Sequence, residues 1–117
     1  MKPLAHAVTA ALIAGVHGAA LAQADVAAFY KGKTVNVIAP SGAGGSVYQY
    51  ALLVSNHLGR NIPGAPASII QSRPGAGGVT AANYVVTAGA KDGTVVAELH
   101  PQSLLTPLTG KGATYDP

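Results

Sequence analysis

Thr34-Val35-Asn36-Val37-Ile38-Ala39-Pro40-Ser41-Gly42-Ala43-Gly44-Gly45 decides the fold class. Residues 34–39 are mostly apolar and β-branched, the pattern of a buried strand, and Pro40 with the glycine run ends it. Beyond the run, Val47, Ala51, Val54 and Leu58 recur at helical spacing and predict one apolar helix face. A strand that passes through a glycine turn into a helix is the opening half of a βαβ unit.

The chain then repeats this plan. Gly59 is placed to stop the first helix, and Asn61 to Pro66 reads as a loop. Ala67-Ser68-Ile69-Ile70-Gln71 predicts a second strand, and Pro74 leads into Gly75-Ala76-Gly77-Gly78, the same four letters as the first run. Val79, Ala82, Val85 and Val86 line one face of a second helix that Gly89 ends. Asp92-Gly93 turns the chain into a third strand, Thr94 to Leu99. Past His100-Pro101, Leu104, Leu105 and Leu108 predict a short helical or loop segment packed on the sheet. Strand, helix, strand, helix, strand implies α/β architecture with a parallel sheet and right-handed crossovers. Both glycine runs then lie at the carboxyl edge of that sheet. Two crossover helices leave outer strands open and faces uncovered, so residues 25–117 are expected to form part of a larger lobe.

Residues 1–24 have the layout of a cleaved signal peptide: Lys2, the apolar stretch Ala5 to Ala14, then Ala22-Gln23-Ala24 before Asp25. His6 and His17 fall inside it and carry no site. No later segment is apolar for long enough to span a bilayer. With 0 cysteines there is neither a disulfide framework nor a thiolate metal site, which is compatible with a bacterial periplasm. The formal net charge of +3 comes from scattered lysines and arginines with few aromatics, which argues against a nucleic-acid surface.

A glycine turn that opens a helix presents backbone N–H groups at the positive end of the helix dipole, where an anion can sit. Two such turns on one edge predict a shared cradle for an anionic small molecule, a binding site and not a catalytic one. Its residues are Ser41, Gly42, Ala43, Gly44, Gly45 and Ser46, with Gly75, Ala76, Gly77 and Gly78. A phosphate-binding P-loop is excluded because neither run is followed by Lys-Ser/Thr. A dinucleotide fingerprint fails too: Val47 and Thr80 stand where its third glycine belongs. Ser41, Ser46 and Thr80 are expected to cap the helices or donate to the ligand. Tyr50 and Tyr84 are expected to be packed, and Tyr48 to reach the cleft. His57 and His100 lack a third ligand for a metal, Ser46 and Ser103 lack the setting of a nucleophile, and no cofactor is called for.

These residues also fit a family. Phe29-Tyr30-Lys31-Gly32-Lys33-Thr34-Val35, the Pro40 to Gly45 loop and His57-Leu58-Gly59-Arg60-Asn61-Ile62-Pro63-Gly64 make one part of the match. Pro74-Gly75-Ala76-Gly77-Gly78, Ala81-Ala82-Asn83-Tyr84 and Lys91-Asp92-Gly93-Thr94 make the other. In this order they resemble the substrate-binding receptors of the tripartite tricarboxylate transporter, the Bug family. The resemblance implies a periplasmic receptor of type II periplasmic-binding-protein fold, with two lobes closing on a small organic acid. It further implies delivery of that acid to membrane permease subunits, with Ser41 to Ser46 and Gly75 to Gly78 holding a carboxylate. Two departures stand out. Tyr48 and Leu52 occupy places where many members carry aspartate and arginine, and those members continue well beyond Tyr115-Asp116-Pro117. The competing readings are a truncated reading frame without function and a small exported enzyme using the cradle as an oxyanion site.

Overall fold

β1 (Thr34–Ala39) is the middle strand of a parallel sheet ordered β2-β1-β3, with β2 at Ala67–Ser72 and β3 at Val95–Ala97. The computed structural model describes residues 25–109 and 112–116, so the signal-peptide reading of residues 1–24 lies outside it. β1 pairs with β2 along its whole length, Thr34 opposite Ala67 through Ala39 opposite Ser72, and with β3 from Asn36 opposite Val95 to Ile38 opposite Ala97. Only a strand covered on both faces can be apolar at successive positions, and Val35, Val37, Ile38 and Ala39 are all buried. Burying each of the three larger side chains contributes about 1.5–3 kcal/mol. The sequence expectation of a parallel α/β sheet holds, although β3 is shorter than Thr94 to Leu99.

The chain leaves β1 toward one side for β2 and must return past β1 to reach β3. Right-handed crossovers therefore put the two connecting helices on opposite faces. The first, α2 (Ser46–Asn61), follows a leading helix α1 (described over residues 25–30) and packs on β1 and β2. Its core contact joins Ala51 to Val37 and Ala39, with Tyr48, Leu58 and Ile70 around them. The second, α3 (Val79–Thr87), packs on β3 and β1 and buries Val79, Ala81 and Ala82.

Several local expectations are corrected. Gly59 does not stop α2, which continues to Asn61. Glycine stands there because a Cβ would overlap the Pro66 carbonyl oxygen, so helix and strand meet backbone to backbone. That close approach also rotates the buried face. Ser55 is buried and shares a 2.9 Å hydrogen bond with Ser68, whereas Val54 is 42% exposed. Tyr48 packs on the core while Tyr50 is exposed, the reverse of the expected roles. Val86 is exposed as well.

The segment after β3 forms α4 (Pro101–Leu105) and a short 3-10 turn at Pro107–Thr109. It packs against the second glycine turn, and Leu104, Leu105 and Leu108 stay exposed while Ser103 is fully buried. Residues 112–116 fold back over it: Tyr115 donates to the Ser103 carbonyl, and Asn83 binds Gly112 and Thr114.

Asp92-Gly93 is turn chemistry, as read. Asp92 Oδ1 accepts from Thr94 Oγ1 at 2.6 Å and from the Thr94 N–H at 3.0 Å. Those two bonds, and more weakly Lys33 at 3.7 Å, hold the Asp92 carboxyl below its ordinary value of 3.8. A carboxyl whose folded pKa is lowered stabilises the fold above its unfolded pKa, and the contribution disappears as pH falls through the folded one. Asp92→Ala is therefore expected to melt below the native chain near neutral pH and to converge with it in acid. A gap of constant size across that range would overturn the assignment.

Candidate functional site

The strand order β2-β1-β3 creates a switch point between β1 and β3, where connections depart to opposite faces. In open α/β sheets that is the crevice ligands use. The loops after all three strands meet along this carboxyl edge. Arg73 N–H donates to the Ala39 carbonyl and Ser72 Oγ to the Ser41 carbonyl, each at 2.8 Å, tying the exits of β1 and β2. The second glycine turn reaches across to the exit of β3, where a Cβ on Gly78 would stand 3.0 Å from His100 Cδ2. The two runs thus share one edge.

Their conformations differ despite identical letters. Each closes one turn, Gly45 N–H on the Gly42 carbonyl and Gly78 N–H on the Gly75 carbonyl, both at 2.9 Å. In the first run no residue has positive φ. In the second all do: Gly75, Ala76, Gly77 and Gly78 have φ of 135, 46, 63 and 95°. One turn is right-handed and the other left-handed. The second carries an alanine in the left-handed region, at a cost of about 1–2 kcal/mol, so its shape is held by what surrounds it.

Neither helix has a side-chain cap. The N-caps are Gly45 for α2 and Gly78 for α3, which corrects the expectation that Ser46 or Thr80 fills that role. Among the described residues no acceptor takes the N–H of Gly42, Ala43 or Gly44, nor that of Ala76 or Gly77. Gly42, Ala43 and Gly44 are solvent-exposed. A Cβ on Gly42 or Gly44 would meet empty space, so neither crowding nor backbone strain demands glycine there. Beside them the Ser41 hydroxyl oxygen is buried and has no hydrogen-bond partner.

Two features escaped the sequence reading. Arg73 lies 3.4 Å over the Tyr84 ring with its Nε buried and unpartnered, a cation set against an aromatic face at the exit of β2. The other is a cavity of about 400 Å³ between the second turn and α4, lined by Ala76, Gly77, Val79, Gln102, Thr106 and Thr109. A second cavity of about 340 Å³, around Ser55, Gly59 and Pro66, lies where α2 meets the start of β2, away from these loops.

No family model, curated protein or solved structure matches the chain. What the edge can do follows from its own groups. It offers main-chain N–H donors, hydroxyls and one guanidinium. Ser103 Oγ is spent on the His100 carbonyl at 2.6 Å, and His57 pairs with Arg60 at 3.3 Å near the far end of α2, so neither meets the other. Among the described residues no cluster of His, Asp or Glu is arranged to hold a metal, and no helix is long and apolar enough to cross a membrane.

Proposed function

We propose that the chain is the carboxylate-binding part of an exported receptor, which captures a small organic acid in the periplasm for the permease subunits of a tripartite tricarboxylate transporter. The ligand's carboxylate sits on the Gly42 to Gly44 amides with the Ser41 hydroxyl beside them, and Gly75 to Gly78 close the same edge. One observation carries the reading. Gly42 and Gly44 are glycines that the fold does not require, and their N–H groups, which no described residue accepts, lie beside a buried hydroxyl that lacks a partner. Free N–H groups of the turn that leads into a helix replace water around an anion, and each charge-assisted bond contributes about 1.5–3 kcal/mol. The ordered motifs that resemble the receptor family supply the direction toward organic acids, and the reading needs no cofactor.

The test is calorimetric titration of the exported chain with succinate and citrate, after a cooperative melting curve has established that it is folded. Saturable uptake of either acid is the expected result. A folded chain that gives no heat with both acids overturns the proposal.

A further inference from the structure

The second glycine turn keeps an unfavourable shape, and the residues on either side of it show how. Gly75, Ala76, Gly77 and Gly78 all have positive φ, a region that an alanine occupies at a cost. One main-chain bond closes the turn, Gly78 N–H on the Gly75 carbonyl at 2.9 Å. On the strand side, the Arg73 N–H donates to the Ala39 carbonyl at 2.8 Å, which fixes Arg73 to the exit of β1. On the helix side, Tyr84 belongs to α3, whose first residues Val79, Ala81 and Ala82 are buried. The Arg73 guanidinium lies 3.4 Å from the centre of the Tyr84 ring, so the two ends of the turn meet through their side chains. Among the described residues no carboxylate pairs with Arg73, and its buried Nε has no hydrogen-bond partner. The ring face is what offsets the burial of this cation.

We propose that the Arg73–Tyr84 stack is a clasp that positions the second glycine turn, joining the exit of β2 to α3 so that the left-handed main chain cannot relax. Arg73 and Tyr84 are positioning residues that act on the shape of the turn. The inference goes beyond the receptor reading and is tested without any ligand. Losing a partly desolvated cation–ring contact raises the open population of such a local segment about tenfold.

Hydrogen exchange followed by NMR is the test, with the Gly78 amide as the probe. The Gly45 amide is the internal control: it closes the first run through a bond of the same 2.9 Å and opens without breaking the stack. Tyr84→Leu should speed Gly78 exchange about tenfold and leave Gly45 at its native rate. Tyr84→Phe keeps the ring face and should keep the native rate at Gly78. Arg73→Gln removes the cation, leaves the main-chain bond to Ala39, and should match Tyr84→Leu. It reads the clasp from the other side if Tyr84→Leu does not fold. A native Gly78 rate in folded Tyr84→Leu or Arg73→Gln overturns the clasp. So does equal acceleration at Gly45, or Tyr84→Phe exchanging as fast as Tyr84→Leu. Failure of both Tyr84→Leu and Arg73→Gln to fold overturns it too, because the stack would then hold the whole domain and not the turn.

Discussion

Gly44→Asp is expected to weaken carboxylate binding at least a hundredfold while leaving the fold intact. The structure makes this a clean experiment. Nothing lies within 4 Å of where the new Cβ would stand, and the φ of Gly44 is not positive, so the side chain enters without clash or strain. An aspartate just before the start of α2 also complements the helix dipole, which is worth about 0.3–1 kcal/mol, so the melting temperature should hold or rise slightly. The new carboxylate competes for the same amides and repels the incoming anion. At a separation of about 4 Å and an effective dielectric of about 20, two like charges oppose each other by about 4 kcal/mol. Gly44→Asn, of the same shape without the charge, should bind within severalfold of the native chain. Equal succinate affinity in the aspartate and asparagine variants, read by calorimetry, would remove the anion from this loop.

Gly59→Ala is expected to be the most damaging conservative change in the sheet layer. Within a helix, alanine in place of glycine ordinarily stabilises by about 0.5–1 kcal/mol. Here that gain is outweighed. The added methyl would overlap the Pro66 carbonyl oxygen, a backbone atom that cannot rotate away, so α2 must lift from β2. Overpacking of this kind costs about 1–3 kcal/mol, and the neighbouring Ser55–Ser68 hydrogen bond, worth about 1 kcal/mol, stretches with it. A net loss of about 1–3 kcal/mol lowers the melting temperature of a domain of this size by roughly 4–24 °C. The control is Leu53→Ala on the outer face, where the side chain is 57% exposed and the change should stay within about 0.5 kcal/mol. A thermal melt of Gly59→Ala that matches the native curve would show that the helix and strand do not meet as described.

Features set by neighbouring residues can be read from the sequence, and those set by distant contacts cannot. β1 was legible to the residue because a β-branched run bounded by Pro40 has only one comfortable conformation, and Gly89 and Asp92-Gly93 were legible as punctuation. Gly59 was misread because a glycine near a helix end looks the same whether it caps the helix or admits a neighbouring strand. Only the position of Pro66 distinguishes the two. The face of α2 was misplaced for a related reason: hydropathy ranks Val54 above Ser55, yet the close approach at Gly59 selects the small residue that can bond to Ser68. The glycine runs were legible as turns on one edge, since a parallel sheet leaves them nowhere else. Their opposite hands were not, because the same letters permit both. Gln102 gave no signal among the leucines around it, and its place beside Ala76 and Gly77 arises from how α4 settles after β3.

The two mirror-image turns imply unequal freedom to drift. At Gly42 and Gly44 almost any side chain fits the architecture, so the fold alone places no limit on what stands there. At Gly75 and Gly78 the architecture itself vetoes replacement, through dihedrals that only glycine adopts at ease and through the neighbours Thr80 and His100. A saturation library selected for folding alone would therefore scramble the earlier motif and leave the later one intact.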